Sequence, residues 1–172
     1  MPPSTSMLNW APVSRLRRNH ALEHATLAIL GVKLPHAHLA GYSDPQGFWI
    51  LGDVSTADLM EAVAQAIGRL RAGERALAVH PRCGTNFVAA GMIGGFAAWL
   101  AMLFTGRSFR RKLERLPVVI TVVTAGLIAS QTVGPLLQEK LTTNPDPGTL
   151  EITGINLLRR GGVPIHRIQT RV

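Results

Sequence analysis

The sequence predicts an α+β membrane protein, a small mixed helix/sheet domain with an inserted two-helix transmembrane hairpin. Three observations carry that prediction. Residues 84–106 and 117–138 hold no charged side chain. Each run is long enough to cross a hydrocarbon core of roughly 30 Å at about 1.5 Å per residue. Strand-like segments joined by turn residues lie on both sides of the pair, and helical periodicity precedes it. The resulting division is a lead-in over 1–13, an α+β region over 14–83, the hairpin over 84–138 and C-terminal strands over 139–172 that join the α+β region.

The elements follow in order. Pro2, Pro3 and Pro12 make residues 1–13 a loose lead-in. Ser14 is the expected N-cap of a first helix and Gly31 its expected C′ residue. Arg15, Arg17 and Arg18 sit in its first turn against the dipole preference, at a membrane surface or around an anion. Residues 38–42 and 48–51 read as strands around the turn Ser43-Asp44-Pro45-Gln46-Gly47. His36 and His38, at strand spacing, are further candidate ligands but read better as loop or strand-edge residues. Ser55 caps a second helix that ends near Gly73, with Leu59, Met60, Val63, Ala66, Ile67 and Leu70 on its apolar face. Residues 76–79 read as a short buried strand that delivers His80. After the apolar runs, residues 149–158 and 163–172 form a hairpin around Arg159-Arg160-Gly161-Gly162, with His166 expected at the surface. Two spans return the chain to its starting side, so these strands can join the first sheet.

Small residues mark the apolar runs. Gly91 and Gly95 form a G-x-x-x-G pair, and Gly126, Ser130 and Gly134 a second ridge. Such ridges suit packing of the two helices on each other or a homo-oligomer interface. Gln131 reads as an interhelical hydrogen-bonder.

Composition bounds the partners. The 172 residues suit one domain, and the net charge is +8, from 18 Lys+Arg against 10 Asp+Glu. Five of those cations, Arg107, Arg110, Arg111, Lys112 and Arg115, lie between the two apolar runs, where headgroups of a lipid bilayer are the counter-charge. No nucleic-acid motif accompanies them, so nucleic acid is not an expected partner. A single cysteine excludes an internal disulfide. The polar N-terminus lacks the apolar core of a secretory signal.

The chemistry concentrates in two clusters. Asn19-His20-Ala21-Leu22-Glu23-His24 holds H-x-x-E-H, with His20 and His24 one helical turn apart on a face that Leu16, Leu27 and Leu30 continue. Buried polar groups on such a face need partners, and a metal is one. His80-Pro81-Arg82-Cys83-Gly84-Thr85-Asn86 then places a histidine and the cysteine three residues apart in a turn. Together they offer His20, His24, His80 and Cys83 as ligands, with zinc the expected ion. The alternative is structural: hydrogen-bonded histidines and a small buried cysteine.

Both motifs resemble those of an uncharacterised bacterial membrane-protein family, a domain of unknown function that shares H-x-x-E-H and then H-P-x-C-G-T-N leading into apolar helices. The resemblance covers most of the chain, including the Gly-Phe-Trp-Ile-Leu-Gly-Asp segment over 47–53. A second uncharacterised membrane family is similar in the H-x-x-E-H and H-P-R-C-G-T pair. H-x-x-E-H alone also resembles the inverted zincin metallopeptidases, which implies zinc on His20 and His24 and Glu23 as general base. Those enzymes take a downstream glutamate as third ligand; here His80 or Cys83 stands in that place.

Two functions are expected from these residues. One is a membrane-associated zinc-dependent hydrolase, in its specific form a metallopeptidase, with Glu23 as base. The alternative is a non-catalytic membrane scaffold in which all four ligands close a structural zinc site and Glu23 orients a histidine. Transport is disfavoured, since two spans alone offer little pathway. The expected location is the cell membrane, multi-pass. The basic segment between the spans argues for its own placement in the cytoplasm, whereas the missing signal argues for a cytoplasmic soluble part; the soluble part is the one expected there. The protein should accordingly stay with membranes washed in alkaline carbonate, and its release into the supernatant would contradict the two spans.

Overall fold

The computed structural model describes residues 7–103, 105–106 and 108–171. The first six residues of the lead-in, Phe104 of the first apolar run, Arg107 of the basic cluster and Val172 lie outside the described residues. The chain forms two compact units: the residues up to His80 together with those from Gln138 onward, and Pro81–Leu137.

The first unit is mixed α and β. It contains α1 (Ala11–Lys33), β1 (Ala40–Asp44), β2 (Gly47–Leu51), α2 (Thr56–Arg71), a 3-10 turn (Arg75–Ala78), a π-helical turn (Gln138–Thr142), β3 (Glu151–Arg160) and β4 (Val163–Arg171). The four strands make one antiparallel sheet in the order β1-β2-β4-β3. The strands that follow the apolar helices therefore complete a sheet begun before them. Both hairpins are tight. Gly161 and Gly162 turn the second one at φ 59° and 83°, the left-handed region that only glycine enters without strain.

The core explains the order of layers. Leu22 and Leu30 of α1, Phe48 and Ile50 of β2, Leu59 and Val63 of α2, Leu150, and Ile168 of β4 are fully or almost fully buried. α1 packs on α2, on β1 and β2, and on the 3-10 turn. Its residues 21–26 are consequently buried on every side, where the sequence suggested a single stripe. α2 begins as expected, with the Ser55 hydroxyl accepting from the Asp58 N–H at 3.0 Å.

Several boundaries differ from expectation. α1 starts at Ala11 rather than after Ser14, because Pro12 fits a first turn whose N–H groups need no partner. It runs past Gly31 to Lys33 instead of ending there. The expected strand over 76–79 is a 3-10 turn; its Ala-rich residues carry little strand preference. His166 was expected at the surface but is 0% exposed, because β4 is an inner strand and His166 shares its covered face with Ile168.

The second unit is a helical pair, α3 (Gly84–Met102) and α4 (Phe109–Leu137). Both helices are long and apolar enough to cross a membrane. α4 begins eight residues before the expected span and takes Arg110, Arg111, Lys112 and Arg115 into its first turns, since these residues favour helix. Gly126 faces Ile93 and Ala97, and Gly134 faces Asn86, so the second ridge serves close packing of α3 on α4. Gly91 and Gly95 have open space where a Cβ would stand. Gln131 is exposed and makes no interhelical bond among the described residues; Ser130 is the buried polar group, and its hydroxyl donates to Leu127 O at 2.7 Å.

His166 makes fold stability depend on pH. Its Nε2 lies 3.0 Å from the Thr56 hydroxyl, and its Nδ1 has no partner among the described residues. Burial lowers its pKa from the ordinary 6.5. Protonation then favours the unfolded chain, so this contribution to stability is complete above 6.5 and is lost as pH falls below it. Denaturant midpoints measured between about pH 7 and about pH 5 should fall more steeply for wild type than for His166→Gln; parallel curves would contradict this.

Candidate metal centre

The first unit gathers three histidines. α1 sets His20 and His24 one turn apart, with ring centroids separated by 4.2 Å and ligating nitrogens within 4.8 Å of each other. The 3-10 turn delivers His80, whose ring centroid lies 5.6 Å from that of His24.

Main-chain carbonyls set the state of both α1 rings. His24 Nδ1 lies 2.7 Å from Ala78 O, and His20 Nδ1 lies 3.1 Å from Thr142 O. A carbonyl only accepts, so each Nδ1 carries the proton and donates it. In the neutral ring the lone pair then sits on Nε2. Metal-ligating histidines carry the same outer hydrogen bond, which fixes the tautomer and the ring plane.

His80 is clamped through its backbone. Its N–H donates to Gln138 Oε1 at 2.9 Å, and Gln138 Nε2 donates to His80 O at 3.1 Å. Gln138 is fully buried and opens the π-helical turn whose last residue, Thr142, supplies the carbonyl to His20. Arg17 ties the same turn to α1, donating from Nη2 to Lys140 O at 3.1 Å and Thr143 O at 2.9 Å. Its place in the first turns of α1 thus serves carbonyls of the returning chain, where a membrane surface or an anion was expected. Sequence reasoning missed Gln138, Thr142 and Arg17 as site residues. The available signals were an amide at the very end of a charge-free run and an arginine one turn before His20.

Glu23 is 4% exposed and accepts a hydrogen bond from the Ser43 hydroxyl of β1. Gly41 stands two residues earlier on the same face of β1, and a Cβ there would run into the Glu23 carboxylate. Burial pushes the Glu23 pKa up, opposed by the Ser43 hydrogen bond and the His20 charge. Asn19 fixes the neighbouring turn of α1: its Nδ2 donates to Asp44 O at 2.8 Å, and Thr170 Oγ1 donates to its Oδ1 at 2.7 Å. Arg167 stacks over Trp49 at 4.8 Å and pairs with Asp44 at 2.7 and 2.9 Å. Burial raises the Asp44 pKa, but the Arg167 and Gln46 hydrogen bonds outweigh it and hold the carboxyl below its usual value.

Cys83 belongs to the second unit. It caps α3, with Sγ accepting from Thr85 N–H at 3.4 Å, and follows His80 by three residues. His36 and His38 line an open surface cavity with Asp53 and Arg159. Of the sequence-predicted residues, His20, Glu23, His24 and His80 thus share one unit, and Cys83 lies in the other.

The fold and this cluster define an α+β protein with a histidine-lined centre in its mixed unit and two helices able to cross a membrane. The family described as "Domain of unknown function (DUF6391)" matches residues 15–155, and the chain belongs to it. An uncharacterized protein of Picosynechococcus sp. (strain ATCC 27264 / PCC 7002 / PR-6) is 46% identical over 49% of this chain and 48% of its own length. The chain thus spans about half the length of that curated relative. No solved structure matches it.

The Gly41–Glu23 contact can be tested by paired substitutions. Gly41→Ala should destabilise the protein by about 1–3 kcal/mol, the usual cost of overpacking. Gly31→Ala, in open space inside α1, should stabilise by about 0.5–1 kcal/mol. Denaturant unfolding that gives both substitutions the same sign would contradict the packing of Glu23 on β1.

Proposed function

We propose that the chain is a membrane-associated zinc-dependent hydrolase, in its specific form a peptidase. The observation that supports it best is the pair of carbonyl-bound Nδ1 groups, which leave His20 and His24 in the tautomer that binds metal through Nε2. His20, His24 and one of His80 or Cys83 would hold the ion. Three imidazoles and a thiol form a borderline donor set that fits zinc. Zinc supplies Lewis acidity, which brings the pKa of water toward about 7.

The chain's own residues carry the proton. Glu23 takes it from the attacking water as the water oxygen bonds to the carbonyl carbon. Glu23 then gives it to the leaving nitrogen as the carbon–nitrogen bond breaks. Ser43 and the missing side chain at Gly41 hold the carboxylate for both steps.

One observation favours a second reading. The Glu23 carboxylate is held on β1 by Ser43, which also suits a carboxylate that only orients its neighbours. Four protein ligands would then close a structural zinc site in a membrane scaffold. In either case α3 and α4 would form the transmembrane hairpin and the mixed unit would face the cytoplasm. The open positions at Gly91 and Gly95 would offer a homo-oligomer contact, whereas Gly126 and Gly134 are used within the helical pair.

Metal content and hydrolysis of peptides should be measured on wild type, His24→Ala/Cys83→Ser and Glu23→Gln. The expected result is about one zinc per chain in wild type, lost in the double variant, with ligand counts as for open sites. Glu23→Gln should keep the metal and lose roughly two to four orders of magnitude in rate. In the scaffold reading it weakens metal binding by roughly 10- to 100-fold, with no activity to lose. A wild type without metal, or metal unchanged in the double variant, rules out the centre.

A further inference from the structure

We infer that the free edge of β1 is a binding site for an extended peptide, which adds to the four-stranded sheet as a further strand. The register decides which backbone groups point off that edge. Asp44 and Gly47 flank a two-residue turn, so they form a hydrogen-bonded pair, as do Tyr42 with Trp49 and Ala40 with Leu51. The other side of β2 agrees: Thr170 N–H reaches Gln46 O at 3.0 Å and Gly52 N–H reaches Pro164 O at 3.1 Å, so even-numbered residues there bond β4 and odd-numbered ones bond β1. Gly41 and Ser43 therefore direct N–H and C=O away from the sheet. None of these four groups has a hydrogen-bond partner among the described residues.

This edge lacks the usual protection. Exposed edges normally carry lysine, proline or a bulge that discourages pairing. β1 reads Ala-Gly-Tyr-Ser-Asp, its first three residues are exposed, and its one charge is paired with Arg167. The opposite edge, β3, is guarded: it bulges between Ile152 and Gly154 and carries Glu151, Arg159 and Arg160. Donors and acceptors repeating at the two-residue spacing of Gly41 and Ser43 are matched by another extended backbone.

The edge is also the part of the sheet that touches Glu23. Gly41 and Ser43, which offer the outward groups, are the two residues against its carboxylate. A strand added about 4.8 Å from β1 would run past that carboxylate. As a statement about substrate this rests on the proposed hydrolase; as a statement about binding it does not.

The test uses the full chain in detergent micelles and amide hydrogen exchange resolved by NMR. The probe is a capped heptapeptide of alternating Thr and Val, compared with its fully N-methylated twin. With the probe, exchange at Gly41 and Ser43 should slow about tenfold or more, while Ala40 and Tyr42, already bonded to β2, should not change. The twin should have no effect. Absence of slowing at Gly41 and Ser43, or equal slowing with the twin, overturns the inference. Slowing without peptide that grows with protein concentration assigns the edge to a second copy and overturns it as well. Repeating the measurement after chelation and on Glu23→Gln separates the two proposals, because loss of metal or activity leaves the exchange result standing.

Discussion

A buried helix face that carries Asn19, Glu23 and His24 must find a hydrogen-bond partner for every polar group it hides, and most of the first unit is arranged around that demand. Local backbone serves Thr26, whose hydroxyl donates to Leu22 O at 2.7 Å, but cannot supply the other partners. They come from distant segments instead. β1 gives the Ser43 hydroxyl and the Asp44 carbonyl, the 3-10 turn gives the Ala78 carbonyl, and β4 gives the Thr170 hydroxyl. His20, half-buried beside them, takes Thr142 O. Leaving any of these groups bare would cost roughly 1–3 kcal/mol, comparable to a large share of a domain's net stability.

This arrangement ties the site to the path of the chain. Gln138 and Thr142 lie more than fifty residues beyond His80, on the far side of both apolar helices. The π-helical turn they bound returns at the histidines, where Gln138 clamps the His80 backbone and Arg17 closes over the turn's carbonyls. The same return brings β4 in beside β2. The helical pair is thus an insertion whose two ends are stitched together by a glutamine amide and a sheet. A disturbance of those ends reaches His80 through its backbone and His20 through the Thr142 carbonyl on its ring nitrogen.

β1 has a double role in this frame. Its inner face is unusually small and polar, because Gly41 and Ser43 have to make room for and bond to Glu23. Its outer edge is short and uncharged over the same residues. A strand selected only for sheet stability would carry β-branched residues there. Small residues at Gly41 and Ser43 weaken the strand locally and leave the Glu23 carboxylate held in place.

The sequence by itself determined what depends on local pattern. The apolar runs gave α3 and α4, Ser55 gave the start of α2, the Pro-Gln-Gly and Gly-Gly turns gave both hairpins, and the H-x-x-E-H spacing placed His20 and His24 on one helical face. Each of these follows from periodicity, capping or turn chemistry within a few residues. Tertiary structure alone decided the remainder. His166 is buried because β4 lies inside the sheet. Gln138, Thr142, Ser43 and Gly41 became site residues only through contacts across 18 to 122 positions of chain. Those partners are invisible in sequence because a buried ring or carboxylate specifies only that it needs a donor or acceptor; the packing of distant backbone determines which one it receives.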